Sequence, residues 1–126
     1  PIFAVGPLNP VPVHHKTSST RNDCLEWLDQ HPPCSVMYVS FGTMSTISDE
    51  QTEQLAFGLR RSGQRFLWAL RDADRADIFT TESNSRQLPA KFEESVEGVG
   101  KVVRGWVPQL DVLAHKAIGG FLSQCG

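Results

Sequence analysis

The sequence predicts an α/β fold in which a Rossmann-like parallel sheet carries flanking helices. Short β-prone runs recur along the 126-residue chain, and segments with helical start and stop signals separate them. Alternation of strands and helices favours right-handed crossovers and parallel strands. A chain of this length supports one domain, which buries roughly 65% of its unfolded surface.

The first predicted helix begins at Asn22 or Asp23, since either side chain can cap it, and ends at Asp29. Leu25 and Leu28 are expected on its buried face. Two prolines follow at positions 32 and 33 and end the helical pattern.

The first strand and the second helix have clear local signals. The run 35–40 is almost continuously β-prone, which is typical of a strand covered on both faces. Ser48 with Gln51 forms a capping box, and the helix that starts there should end at Gly63 after two arginines. Its expected buried stripe consists of Leu55, Ala56 and Leu59.

The remaining elements follow the same alternation. A polar stretch covers residues 71–87. We expect strands at 65–70, 101–105 and 119–123, and short helices at 89–96 and 109–115.

Composition excludes several classes of protein. Twelve Lys and Arg against fourteen Asp and Glu give a charge of −2, which argues against a basic nucleic-acid binder. No apolar run approaches the ~18 residues of a membrane helix, and no basic-then-apolar leader is seen. Three cysteines without a C-x-x-C pair make a disulfide framework or a zinc site unexpected. A cytoplasmic protein is therefore expected.

Three loops follow predicted strands, at 40–43, 105–109 and 123–126. Ligands of open parallel sheets bind beyond the carboxyl ends of the strands, so these loops are the candidate site. Thr43 follows a glycine at a strand-to-helix turn, where its amide and hydroxyl could face a phosphate; the alternative is a turn threonine bonded to its own backbone. Trp106 could stack on a base, and the alternative is ordinary packing.

Several motifs together resemble one family. The sequence contains the segments Trp106–Gln109, Leu113–His115, Gly119–Phe121 and Ser123–Gly126, which resemble the first half of the signature of plant secondary-product UDP-glycosyltransferases. The upstream segments 5–8, 24–29 and 39–43 agree with that family in order and spacing. Segments 70–79 and 92–98 resemble its zeatin O-glucosyltransferase branch.

The resemblance implies a GT-B glycosyltransferase with two Rossmann-like domains. Residues 1–20 would form an interdomain segment and loop, and residues 21–126 part of the nucleotide-sugar (donor) binding domain. It further implies that Trp106 stacks on uracil, that the Val107 backbone pairs with the edge of the base, and that Gln109 lies near the ribose. Thr43 would contact the diphosphate.

One position departs from the family pattern. Gln124 stands where the family has a histidine that donates to the diphosphate. A glutamine amide can donate but carries no charge, so roughly 1 kcal/mol of phosphate binding would be lost. His115 is expected to support the nucleotide loop from behind and to do no chemistry.

The resemblance also implies an activity: transfer of glucose from UDP-glucose to a hydroxyl of a small acceptor, expected to be zeatin, with inversion. Neither a metal nor a cofactor is expected besides the donor substrate, and neither nucleic acid nor a membrane is an expected partner. The general-base histidine of the family is expected outside this chain, which starts at Pro1 without a methionine and has the character of a piece.

Alone, the chain is therefore expected to be inactive, and poorly stable because its last strand lacks a further partner. Three alternatives stay open: a flavonoid or phenolic glucosyltransferase, a truncated non-catalytic nucleotide-binding fragment, and a purely structural flavodoxin-like module.

Overall fold

The structure, a computed structural model, describes residues 23–42, 47–70 and 88–124. Within them, four helices and four strands alternate along most of the chain. They are α1 (Asp23–Asp29), β1 (Val36–Val39), α2 (Asp49–Ser62), β2 (Arg65–Ala69), α3 (Phe92–Ser95), β3 (Gly100–Val103), α4 (Gln109–Leu113) and β4 (Ile118–Leu122). The segment 1–20, Thr43 and the polar stretch 71–87 lie outside the described residues.

The four described strands form one parallel sheet in the order β3-β2-β1-β4. The chain moves from β1 outward to β2 and β3, then crosses back to place β4 on the other side of β1. Because crossovers are right-handed, helices that connect strands in one direction along the sheet lie on one face, and the helix of the return crossover from β3 to β4 lies on the other. The predicted α/β fold with a Rossmann-like parallel sheet is confirmed.

Each face of the sheet is covered by its own apolar cluster. Alternate residues of β2 divide between them, with Phe66 and Trp68 on one face and Leu67 on the other, all fully buried. The first cluster joins the sheet to α2 and α3, and the second joins it to α1 and α4. β1 also contributes to both clusters, so its predicted burial on two faces is confirmed.

The second helix follows its sequence signals. The Ser48 side chain accepts from the Gln51 amide at 3.2 Å, and the Gln51 side chain accepts from the Ser48 amide at 2.9 Å. Gly63 ends the helix in the left-handed conformation, with φ 65°. Thr52 takes a buried place on this helix that was expected for Leu55, which is only partly buried.

Several predicted boundaries are wrong, each for a local reason. The helix expected at 89–96 is reduced to α3, because Lys91 has φ 64° and cannot lie inside a right-handed helix. The helix expected at 109–115 ends at Leu113. The strand expected at 101–105 spans Gly100–Val103, because Arg104 and Gly105 already leave the sheet toward α4. The strand expected at 119–123 spans Ile118–Leu122, one residue earlier.

The first helix buries a different side chain from the one expected. Cys24 and Leu28 are its buried residues, whereas Leu25 is only partly buried. Burial raises the pKa of the Cys24 thiol, which therefore behaves as a small apolar side chain. No helix within the described residues is both long and apolar enough to cross a membrane.

Candidate functional site

The candidate site lies between β1 and β4, where the order of strands along the chain reverses direction across the sheet. β1 and β4 are neighbours, but the helices that follow and precede them lie on opposite faces. A crevice opens between such strands at their carboxyl ends and is the usual ligand position in open parallel sheets. The Ser40 amide donates to the Leu122 carbonyl at 3.0 Å, which fixes the two strand ends beside each other.

An aromatic stack reinforces this junction. Tyr38 of β1 lies opposite Phe121 of β4, with ring centroids 5.2 Å apart and planes 14° from parallel. Burial raises the pKa of the Tyr38 phenol, so this group stays neutral and serves packing. The carboxyl end of the sheet is thus held firmly where a ligand would sit.

The loop 104–108 begins at the carboxyl end of β3. It leaves β3 at one side of the sheet and reaches α4, which packs beneath β1 and β2 in the second cluster and leads to β4 at the opposite side. The loop therefore opens the crossing from one edge strand to the other, at the end of the sheet where ligands bind.

Trp106 lies in the middle of this crossing loop with its side chain outward. It is 78% exposed, the most exposed of the large apolar residues described. Its successors are held in the protein: Val107 packs against the second cluster, and Pro108 is buried and caps α4. The indole is therefore a projecting ring on an anchored backbone, a geometry suited to stacking.

The backbone of Val107, beside the ring, carries one hydrogen-bond donor and one acceptor. Within the described part of the chain, neither the amide nor the carbonyl of Val107 makes a hydrogen bond. An amide donor and a carbonyl acceptor on one residue can pair with a ligand edge that carries one acceptor and one donor. Such an edge is typical of a nucleobase.

Two glutamines flank the same carboxyl edge. Gln109 is exposed and is the first residue of α4. Gln124 is exposed two residues after β4. Each presents an amide that can donate to hydroxyl or phosphate oxygens. Of the five predicted ligand-binding residues, Thr43 lies outside the described residues, and the other four all follow carboxyl ends of β3 or β4.

His115 lies in the turn between α4 and β4, outside the loop 104–108. Its imidazole is 14% exposed; Nε2 is 3.3 Å from Oδ1 of Asp29, and Nδ1 accepts from the Ala117 amide at 3.2 Å. Because Nδ1 accepts, Nε2 carries the hydrogen and donates to the carboxylate. The supporting role expected for His115 stays a prediction.

Two polar contacts near the site were not predicted. One is the contact between Asp29 and His115, which are 86 positions apart in the sequence. The other is the ion pair of Arg104 with Glu93 of α3 at 3.0 Å. Neither contact follows a helical or strand repeat, since each joins separate elements. The only available signal was that Asp29 and His115 both fall in the resembling motifs.

Comparison with known proteins agrees with this geometry. Residues 16–126 match the family described as UDP-glucoronosyl and UDP-glucosyl transferase. The chain is 51% identical to the zeatin O-glucosyltransferase of Phaseolus lunatus and 50% identical to the zeatin O-xylosyltransferase of Phaseolus vulgaris, in each case over 99% of this chain and 28% of the relative. It thus spans little more than a quarter of the length of these relatives.

A solved structure shows the same fold. The structure of Phytolacca americana UGT2 complexed with UDP-2fluoro-glucose and pterostilbene is 42% identical, covers 84% of this chain and 21% of its own, and has a TM-score of 0.67. The parallel sheet and its helices therefore have the fold of part of a plant GT-B glycosyltransferase. The chain belongs to the UDP-glucoronosyl and UDP-glucosyl transferase family.

Proposed function

We propose that this chain forms part of the donor-binding domain of an inverting UDP-glycosyltransferase. The whole enzyme transfers glucose from UDP-glucose to a hydroxyl of a small acceptor of the zeatin class and acts in the cytoplasm. The observation that carries the proposal is the exposed Trp106 ring on its anchored loop at the carboxyl edge of the sheet.

Each site residue has a role that its position permits. The Trp106 ring stacks on uracil, while the amide and carbonyl of Val107 pair with the polar edge of that base. Gln109 donates to the ribose hydroxyls, and Gln124 and Thr43 donate to the diphosphate. The described residues thus bind and orient the donor; the groups that activate the acceptor belong to the remainder of the enzyme.

Gln124 distinguishes this site electrostatically. Its amide is neutral, so it stabilises the departing diphosphate by an ordinary hydrogen bond and without a positive charge. The bond strength does not change with pH near neutrality, because an amide does not titrate. Donor binding is therefore weaker than with a cationic donor at this position, by roughly 1 kcal/mol.

Relatives of this chain support the acceptor class. Both compared relatives are named for zeatin, one as a glucosyltransferase and one as a xylosyltransferase. The choice of zeatin rests on them, and the choice of glucose rests on the first. A phenolic acceptor is the second candidate, since the compared solved structure holds pterostilbene.

Donor binding is tested by titrating UDP by calorimetry into the full-length enzyme that contains this chain. Trp106→Ala removes the stacking surface, which is worth about 1–3 kcal/mol per base, so the UDP dissociation constant should rise about 5- to 150-fold. Leu110→Ala is the matched control, because Leu110 is a large apolar residue of α4 that is 61% exposed four positions further along the chain. Equal affinities of wild type and Trp106→Ala would refute the stacking role.

Acceptor and donor choice are tested with the full-length enzyme that contains this chain. Product formation is measured with UDP-glucose or UDP-xylose against zeatin and against a hydroxystilbene. We expect the highest kcat/KM for UDP-glucose with zeatin. A preference for the hydroxystilbene would favour the phenolic alternative, and binding of UDP without turnover of either acceptor would favour a non-catalytic nucleotide-binding protein.

A further inference from the structure

The Asp29–His115 contact joins three elements of the second face of the sheet. Asp29 is the last residue of α1, and His115 lies in the turn between α4 and β4. The imidazole donates from Nε2 to Asp29 and accepts at Nδ1 from the Ala117 amide. One side chain therefore uses both ring nitrogens to tie a turn to a neighbouring helix.

The backbone of His115 also links the two elements that carry the site. Its amide donates to the Val112 carbonyl at 3.1 Å, and its carbonyl accepts from the Ile118 amide at 3.0 Å. Val112 belongs to α4, which follows the Trp106 loop, and Ile118 begins β4, which leads to Gln124. A shift of His115 would thus displace both α4 and the start of β4, which lie on the two sides of the nucleotide site.

α4 depends on such anchors because it is short. Five residues make less than two turns, and helices of this length are not stable by themselves in water. Val112 is its one fully buried side chain and Leu113 packs beside it, so the helix is held by apolar contacts only near its carboxyl end. From Leu113 back to Gln109 the helical rise of 1.5 Å per residue gives only about 6 Å, so the anchored end of α4 lies close to the loop that carries Trp106.

We infer that Asp29 and His115 are positioning residues for nucleotide binding. They hold α4 in the orientation that projects the Trp106 ring and exposes the polar backbone of Val107, without contacting the nucleotide themselves. The inference rests on the proposed function for its link to UDP, but the mechanical part concerns the chain alone.

The mechanical part is tested by amide hydrogen exchange without ligand. Asp29→Ala removes the acceptor, and His115→Asn keeps an oxygen for the Ala117 amide but is too short to reach α1. Both variants should speed exchange of the Val112 and Ala114 amides, which close α4 by bonds of 3.0 Å to Pro108 and Leu110, by about fivefold or more. Amides of β1 and β2 should change less than twofold.

Matched variants separate this role from general destabilisation. Asp29→Asn retains Oδ1 as an acceptor for Nε2–H and should restore slow exchange, and Glu26→Ala removes an exposed carboxylate from the same helix and should have no effect. Exchange that rises equally in α4 and in the sheet, or that does not rise in α4, would overturn the positioning role.

The link to the nucleotide has its own readout. Titration of UDP into the full-length enzyme that contains this chain should give a dissociation constant at least threefold higher for Asp29→Ala and His115→Asn than for wild type and Asp29→Asn. Unchanged UDP affinity in variants whose α4 exchanges faster would overturn the link. Absence of UDP binding by the wild type would instead refute the proposed function and, with it, the link, while the exchange result would still decide the mechanical role.

Discussion

Replacement of Gly119 by alanine should destabilise the chain because another part of the backbone occupies the space of a side chain there. The register of β4 against β1 jumps from Val36↔Ile118 to Met37↔Gly120, so Gly119 is an extra residue in a β-bulge. A Cβ atom on Gly119 would lie 2.5 Å from the carbonyl oxygen of Cys34, 2.7 Å from its carbonyl carbon and 3.0 Å from its Cα.

Neither side of this contact can yield easily. The Cys34 amide donates to the Lys116 carbonyl at 2.9 Å, and the Val36 amide donates to Ala117 at 2.9 Å, so the segment is bonded on both sides of the clash. Cys34 itself has φ 53°, which for a residue other than glycine is already an uncommon conformation. Overpacking of this kind costs typically about 1–3 kcal/mol.

Gly120→Ala is the matched control in the next position. No atom lies within 4 Å of a Cβ atom built there. Alanine also restricts the unfolded chain, which stabilises the folded state by about 0.4–1 kcal/mol where the native backbone accepts it. The free energy of unfolding should therefore be about 2 kcal/mol lower for Gly119→Ala than for Gly120→Ala.

Urea unfolding followed by tryptophan fluorescence measures the difference, since Trp68 is fully buried and reports loss of the core. Equal unfolding midpoints for Gly119→Ala and Gly120→Ala would refute the reasoning. A lower midpoint for Gly120→Ala would show that the strand register itself is wrong.

Three further predictions concern charge and capping. Gln124→His should tighten UDP binding about fivefold at pH 6, where the imidazole carries a charge, and much less at pH 8, as calorimetry would show; equal gains at both values would exclude a charge effect. Burial of the imidazole lowers the pKa of His31 below 6.5, and the nearby Arg65 guanidinium lowers it further. The stability that neutral His31 contributes is therefore complete above pH 6.5 and is lost as the pH falls through the lower folded-state pKa. His31→Gln should flatten this part of the stability profile in urea unfolding at a series of pH values, and an unchanged profile would assign the slope to other groups. Ser48→Ala should cost about 1 kcal/mol by removing the acceptor for the Gln51 amide, whereas Ser48→Gly should cost only a few tenths; equal costs in thermal unfolding would argue against a side-chain cap.

Local signals were sufficient for much of the fold. The capping box at Ser48 and the left-handed Gly63 each depend on neighbouring residues only, and both are present as expected. Continuous β-branched and aromatic runs identified β1 and β2, because strands buried on two faces need apolar residues at every position.

Features that depend on distant contacts could not be predicted in the same way. The bulge at Gly119 arises from the approach of Cys34, which is 85 positions earlier, and the Asp29–His115 bond spans 86 positions. Strand ends shifted by one or two residues because the turn toward α4, and not strand propensity, decides where β3 stops.

Sequence analysis identified residues of the candidate site but not their arrangement. The resemblance indicated Trp106 and Val107, and the structure adds that the ring is exposed and that the backbone beside it makes no hydrogen bond within the described residues. The place of this loop at the start of the crossing from β3 to β4 required the strand order, which the sequence did not reveal. The roles of these residues toward UDP stay predictions.

The stacking of uracil on Trp106 is tested most directly by nuclear Overhauser contacts in the complex of the chain with UDP. Each of the three tryptophans has one indole N–H signal, and Trp106→Phe identifies the one that belongs to residue 106. We expect contacts from uracil H5 and H6 to the Trp106 ring and none to the buried Trp68. Bound UDP whose uracil protons contact other residues, with the Trp106 signals unchanged, would show that the nucleotide lies elsewhere.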